Sequence, residues 1–177
     1  MVMNLILISA CLLGENCKYS GGNNENAHLI SLLKDKEIIA VCPEELGGLP
    51  TPRPPAEIIS KAEIDAGTET GIELSTDLCL GNVKICLQDG QDVTEQFLKG
   101  AFCTQKIAQD YPITLAIMKE RSPSCGVDQI YDGTFTGKTI PGSGITTSLL
   151  KKMGIPVISE ETPLIDELLA LITEASD

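Results

Sequence analysis

The chain has 177 residues, 42% of them hydrophobic and 3% aromatic, and its 13 basic residues against 25 acidic ones leave a net charge of −12. That length suits a single domain spanning 1–177 with a proper core. A surface this negative repels phosphates, which argues against a nucleic acid polymer or an anionic membrane as partner and favours a small, neutral or locally clamped molecule.

The opening Met1-Val2-Met3-Asn4 lacks the basic flank of a signal peptide, so the expected location is the cytoplasm. Leu5-Ile6-Leu7-Ile8 reads as a buried strand. Gly14, Gly21 and Gly22 mark a long loop, after which Asn24 is placed as the cap of a helix over 25–34. Glu37 to Val41 is a second strand ending at Cys42-Pro43. Residues 43–56, with prolines at 43, 50, 52, 54 and 55, read as a stiff loop without regular elements.

Ile72-Glu73-Leu74 and Val83 to Leu87 are short strands, with a turn over Gln88 to Gln91. Asp92 or Thr94 is expected to cap a helix over 95–110, where Phe97, Leu98, Ala101, Ile107 and Ala108 form an apolar stripe. Ile113 to Met118 is a third strong strand. Pro141-Gly142-Ser143-Gly144 precedes a helix over 145–153, followed by a strand over 155–158 and a helix over 163–175. Strands alternating with helices predict an α/β domain with a mostly parallel sheet and helices on both faces.

Seven cysteines (11, 17, 42, 79, 86, 103 and 125) are too many for core filling to be the sole reading, and a reducing cytosol keeps them as thiols. The single histidine, His28, rules out a site of several imidazoles. Cys11 and Cys42 end the first two strands and Cys125 follows the third by a short loop. Ligands of open parallel sheets bind beyond the carboxyl ends of the strands, so these thiols have a route to one place. Three thiolates on a cubane iron–sulfur cluster leave one iron without a protein ligand. A structural zinc site normally shows paired Cys-x-x-Cys hooks, which the spacing lacks. Small packing residues at strand ends remain the plain alternative.

Polar residues accompany the cysteines. Glu44, in Cys42-Pro43-Glu44, has the chemistry of a general acid or base, or of a solvated loop carboxylate. Ser122, Ser124, Lys119 and Arg121 approach from the third strand, the serines either orienting a substrate or forming a turn beside Pro123. Arg53 either clamps a polar substrate edge or pairs with an acidic neighbour. Ser143 and Gly144, at a helix start, have the pattern of an anion site.

Ser9-Ala10-Cys11-Leu12-Leu13-Gly14, Tyr19-Ser20-Gly21, the stretch from Val41-Cys42-Pro43-Glu44 to Pro55-Ala56-Glu57, and Lys119 to Gly126 resemble the signatures of the 2-thiouracil desulfurase family. Tyr131 to Phe135 and Gly142 to Thr146 also match, so the resemblance runs over nearly the whole chain. It implies a Rossmann-like three-layer sandwich, in agreement with the strand pattern. It implies an oxygen-sensitive [4Fe-4S] cluster on Cys11, Cys42 and Cys125, which an aerobic preparation is expected to lose or exchange for another metal. It further implies non-redox replacement of the sulfur of a thiolated pyrimidine by water, giving uracil and sulfide, with Glu44 and Ser122 as acid–base and substrate-activating groups. Arg53, Ser124 and Ser143 are the expected substrate-binding residues.

Cys17 is not made a ligand but is placed nearby as a sulfur acceptor, while Cys79, Cys86 and Cys103 are read as core or surface thiols. Two other functions stay open, a non-catalytic iron–sulfur or metal carrier and a thiol-based sulfur transferase using Cys17 or Cys125. The substrate among thiolated pyrimidines and the oligomeric state, a homo-oligomer included, are left open.

Overall fold

The computed structural model describes residues 5–60, 82–163 and 165–174. The strand expected at Ile72–Leu74 and the thiol of Cys79 lie outside these. Four parallel strands make the central sheet: β1 (Leu5–Ser9), β2 (Glu37–Val41), β5 (Ile113–Met118) and β8 (Val157–Ser159), in the order β2-β1-β5-β8. The chain leaves β1 for β2 on one side and returns to β5 on the other, so the connections diverge at the carboxyl end of β1.

Strand alternation assigns the two faces. Ile6 and Ile8 of β1 pack with Leu115 and Ile117 of β5 against α1 (Ala27–Leu33) and Leu169 of α5 (Ile165–Glu174). Leu7, with Ala116 and Met118, packs on the other face against Ala108 of α3 (Thr94–Asp110) and Leu150 of α4 (Ile145–Lys152). Every residue of β1 is buried, as a central strand covered on both faces requires. The expected α/β class and the flanking helices are therefore observed.

A second core lies beside this sandwich. The antiparallel pair β3 (Ala56–Ser60) and β4 (Val83–Leu87) places Ile58 and Ile85 against Phe97 and Ala101 of α3 and Leu149 of α4. The short hairpin β6 (Gln129–Tyr131) and β7 (Thr139–Pro141) joins it through Ile130. The stretch expected to be irregular contains one helical turn, α2 (Pro43–Leu46). Pro43 fits there because the first turn has no use for its missing N–H. A Cβ on Gly47 would come within 2.0 Å of the Gln96 carbonyl oxygen, and one on Gly100 within 1.8 Å of that of Pro43. This glycine pair lets α2 lie directly on α3.

Two capping expectations are corrected. Asn26, not Asn24, caps α1 by accepting the Leu29 N–H at 3.0 Å, because the helix starts at Ala27. Val93 holds the cap position of α3, while Asp92 accepts from the Thr94 N–H (3.0 Å) and hydroxyl (2.6 Å). No described helix is long and apolar enough to cross a membrane.

Candidate active site

Because β2, β1 and β5 are adjacent and parallel, the residues after their carboxyl ends share one sheet edge. Cys11 sits in the 3-10 turn that follows β1, Cys42 at the start of α2, and Cys125 in the turn after β5. All three line one cavity of about 390 Å³ together with Cys17, Glu44, Arg53 and Ser122, within the size range of small-molecule sites. Among the described residues, no three thiol, imidazole or carboxylate groups meet closely enough to hold a single metal ion.

Their chemistry differs. The Cys11 thiol is lowered to about 7, first by a hydrogen bond from Cys17, against burial, and then by Asn24 and the Lys119 charge. The Asn24 amide donates to Cys11 Sγ at 3.3 Å. The Cys42 thiol is also lowered, again chiefly by Cys17. Cys17, buried beside both, is pushed up, first by its contact with Cys11 and then by that with Cys42, and the Cys42 thiol donates to the Cys17 carbonyl at 3.8 Å. Burial pushes the Cys125 thiol up, partly offset by Ser9.

Glu44 is fixed from one side. Its Oε2 accepts from Arg53 Nε at 2.7 Å and Nη2 at 2.6 Å. No partner for its other oxygen is found among the described residues, so that oxygen is available to the cavity it lines. The Ser122 hydroxyl oxygen accepts the N–H groups of Ser124 and Cys125, each at 3.1 Å. With both lone pairs engaged, its own proton is the part left to offer.

The family model for 2-thiouracil desulfurase matches residues 6–162. The chain belongs to the 2-thiouracil desulfurase family. It is 44% identical over 156 residues to YbbK of Bacillus subtilis (strain 168), an uncharacterized protein, covering 88% of this chain and 95% of that one. The solved structure of the [4Fe-4S]-dependent thiouracil desulfidase TudS superposes with a TM-score of 0.75 at 36% identity, covering 97% of this chain and 99% of that one.

Within this desulfurase-family chain, the three expected substrate-binding residues make hydrogen bonds inside the protein. Arg53 lines the cavity, but its five N–H donors are all spent. Two go to Glu44, two to the Pro50 carbonyl and the Thr51 hydroxyl (each 3.0 Å), and one to the Cys17 carbonyl (3.0 Å). Of its two sequence readings, the pairing with an acidic neighbour is the one observed. Ser124 is buried with its hydroxyl 2.8 Å from that of Thr146, and Ser143 donates to the Val127 carbonyl at 2.7 Å. Neither lines the cavity. The start of α4 holds no room for an anion either. Its first N–H groups, from Gly144, Ile145 and Thr146, donate to the carbonyls of Gly126, Pro123 and Ser124 at 2.8–3.0 Å. A Cβ on Gly144 would lie 2.4 Å from Ser124. The helix end instead secures the loop that carries Cys125.

Sequence reasoning missed Glu120. Its buried Oε1 accepts backbone N–H from Arg121 (3.2 Å), Val127 (2.9 Å), Asp128 (3.1 Å) and Gln129 (3.0 Å). Burial pushes this carboxyl up, yet those donors together hold it below the ordinary value. A tight run of turn formers over 122–126 was the available signal, since its inward N–H groups need an acceptor. Lys119 pairs with Glu160, whose other oxygen accepts the Glu120 N–H at 2.8 Å, and Arg121 pairs with Glu161. Cys86 and Cys103 are half-buried and outside the cavity lining.

Proposed function

We propose that this chain is a desulfurase holding a [4Fe-4S] cluster on Cys11, Cys42 and Cys125, and that it replaces the sulfur of a thiolated pyrimidine, 2-thiouracil or a close analogue, with oxygen from water. The observation that carries the reading is the gathering of three strand-end thiols, Glu44 and Ser122 on one cavity. The donor set fits the group: three soft thiols line the same cavity, two of them lowered toward thiolate, and thiolates are the usual ligands of iron–sulfur clusters. When bound, such a cluster supplies an iron without a protein ligand, a Lewis acid with affinity for sulfur.

The chain's own groups then have separate tasks. Arg53 holds Glu44 so that its free oxygen takes a proton from the attacking water. Ser122 donates a hydrogen bond to the substrate while the Cys125 turn keeps its oxygen in place, and Glu44 returns its proton to the departing sulfur. Water adds to the ring carbon, the carbon–sulfur bond breaks, and sulfur leaves as sulfide with no net electron transfer. Thiol-based sulfur transfer through Cys17 is less well served, because that thiol is held toward its protonated form.

Anaerobic reconstitution followed by iron, sulfide and absorbance analysis tests the cofactor. About four irons per chain are expected, and none in a variant lacking any one of the three cysteines. Glu44→Gln is expected to keep its iron and lose sulfide release from 2-thiouracil by about 10²–10⁴-fold. Unchanged release would leave a cluster carrier without the assigned chemistry.

A further inference from the structure

The cavity has a wall that the chemistry above does not use. Ala56 and Glu57 of β3 line it, together with Tyr131, Phe135 and Gly137 of the β6–β7 hairpin. Glu57 is only 6% exposed. Its Oε2 accepts the Phe135 N–H at 3.0 Å. No second hydrogen bond and no cation for Glu57 is found among the described residues, where every fully buried side-chain oxygen and nitrogen has a partner. Its Oε1 is therefore not sealed in the protein. A carboxylate that is nearly buried, unpaired with a cation and open at one oxygen needs a donor from whatever fills the cavity.

Phe135 stands beside it in a costly conformation. Its φ of 56° is in the left-handed region, an outlier for a bulky side chain. Strain of this kind persists only where the surroundings impose it. Here Glu57 grips the Phe135 N–H, and Asp132 Oδ1 accepts both the N–H (3.0 Å) and the hydroxyl (2.6 Å) of Thr134. Gly133 presses so closely on β3 that a Cβ there would lie 2.7 Å from the Ile58 carbonyl oxygen. The result is an aromatic side chain at the cavity wall with an acceptor oxygen next to it.

We propose that the free oxygen of Glu57 accepts a ring N–H of the substrate while Phe135 lies against the ring face, so that the site selects planar thiolated heterocycles bearing an unsubstituted N–H. This rests on the desulfurase reading and adds to it a basis for choosing the ring. Glu57 is a binding residue here, distinct from Glu44, which faces the water.

The test uses reconstituted protein and two readouts. Equilibrium dialysis measures binding of uracil, 1-methyluracil and 3-methyluracil, and steady-state kinetics compares 2-thiouracil with its 1-methyl and 3-methyl forms. In the wild type, methylation at one of the two nitrogens is expected to weaken binding and raise KM about 10–100-fold. Glu57→Gln, which can still accept the Phe135 N–H but offers a donor to the cavity, is expected to bind uracil about 10-fold or more weakly and to lose that discrimination, with iron content unchanged. Phe135→Leu is expected to weaken uracil binding by about 10-fold. The wild-type series needs no variant. Equal handling of the parent and both methylated rings overturns the proposal, as does a Glu57→Gln protein with full iron, wild-type KM and wild-type uracil affinity. Failure of the wild type to release sulfide from 2-thiouracil removes the desulfurase reading instead, and N–H-dependent uracil binding still reports on Glu57.

Discussion

The loop after β2 and the loop after β5 solve one problem with opposite charges. Each carries a cysteine to the cavity, and each is organised around one buried charged side chain. After β5 the hub is an anion, Glu120, which collects backbone N–H groups from Arg121, Val127, Asp128 and Gln129. After β2 it is a cation, Arg53, which collects the carbonyls of Pro50 and Cys17, the Thr51 hydroxyl and the Glu44 carboxylate. The first hub holds only main chain. The second also holds Glu44, the side chain proposed above to take a proton from water. Losing Glu120 should therefore cost shape, and losing Arg53 should cost function.

Glu120→Leu tests the first half of that statement and carries the largest expected effect. It strands several buried N–H groups at once, and urea unfolding at neutral pH should show a loss of about 3 kcal/mol or more, with iron binding impaired. A loss below about 1 kcal/mol would mean that the loop finds other acceptors. Arg53→Met should cost less stability, about 2 kcal/mol, but lower kcat about 10²-fold as Glu44 loses its orientation. If kcat and stability changed in the same proportion as in Glu120→Leu, the two hubs would not differ in kind.

Acid sharpens the contrast further. The Glu120 carboxyl is held below its ordinary value in the folded chain. The stability it contributes is present in full above the unfolded value of about 4.3 and is lost as pH falls through the lower folded value. Urea midpoints measured from about pH 5 downward should fall less steeply in Glu120→Gln than in the wild type. The smallest effect is the control. Asn26→Ala removes the cap of α1 and should cost about 1 kcal/mol, with iron content and turnover untouched.

The parallel frame was legible because its strands are apolar runs of strand length and its helices carry apolar stripes. The meeting of Cys11, Cys42 and Cys125 at one cavity was legible because two of them end such runs and the third follows one by a short loop. The fates of the polar residues were less so. Nothing local distinguishes Glu120, a hub, from the neighbouring Arg121, which reaches outward to Glu161. Ser124 and Ser143 look like site serines until Thr146 and Val127 are seen to occupy them. Arg53 could be read as a clamp because its five hydrogen bonds go to four residues, Cys17, Glu44, Pro50 and Thr51, in three separate places along the chain. The pair β3–β4 was only half visible, since Ser60 pairs with Val83, far along the sequence, and the proline-rich run hides where β3 starts. Sequence spacing reports residue type and periodicity. It does not report which hydrogen-bonding capacity has already been spent.

The pairing of β1 with β5, in which Ile6 meets Leu115 and Ile8 meets Ile117, has a consequence for biosynthesis. One flank of β1 stays open until more than a hundred further residues have emerged from the ribosome, and closing so large a loop is entropically slow. Two thiols thus wait on an unfinished sheet, and the third arrives only when β5 docks and Glu120 draws its turn together. On the proposed ligand set, assembly of a cluster would belong to the end of folding, and a nascent chain halted before that point presents an exposed apolar edge in its place.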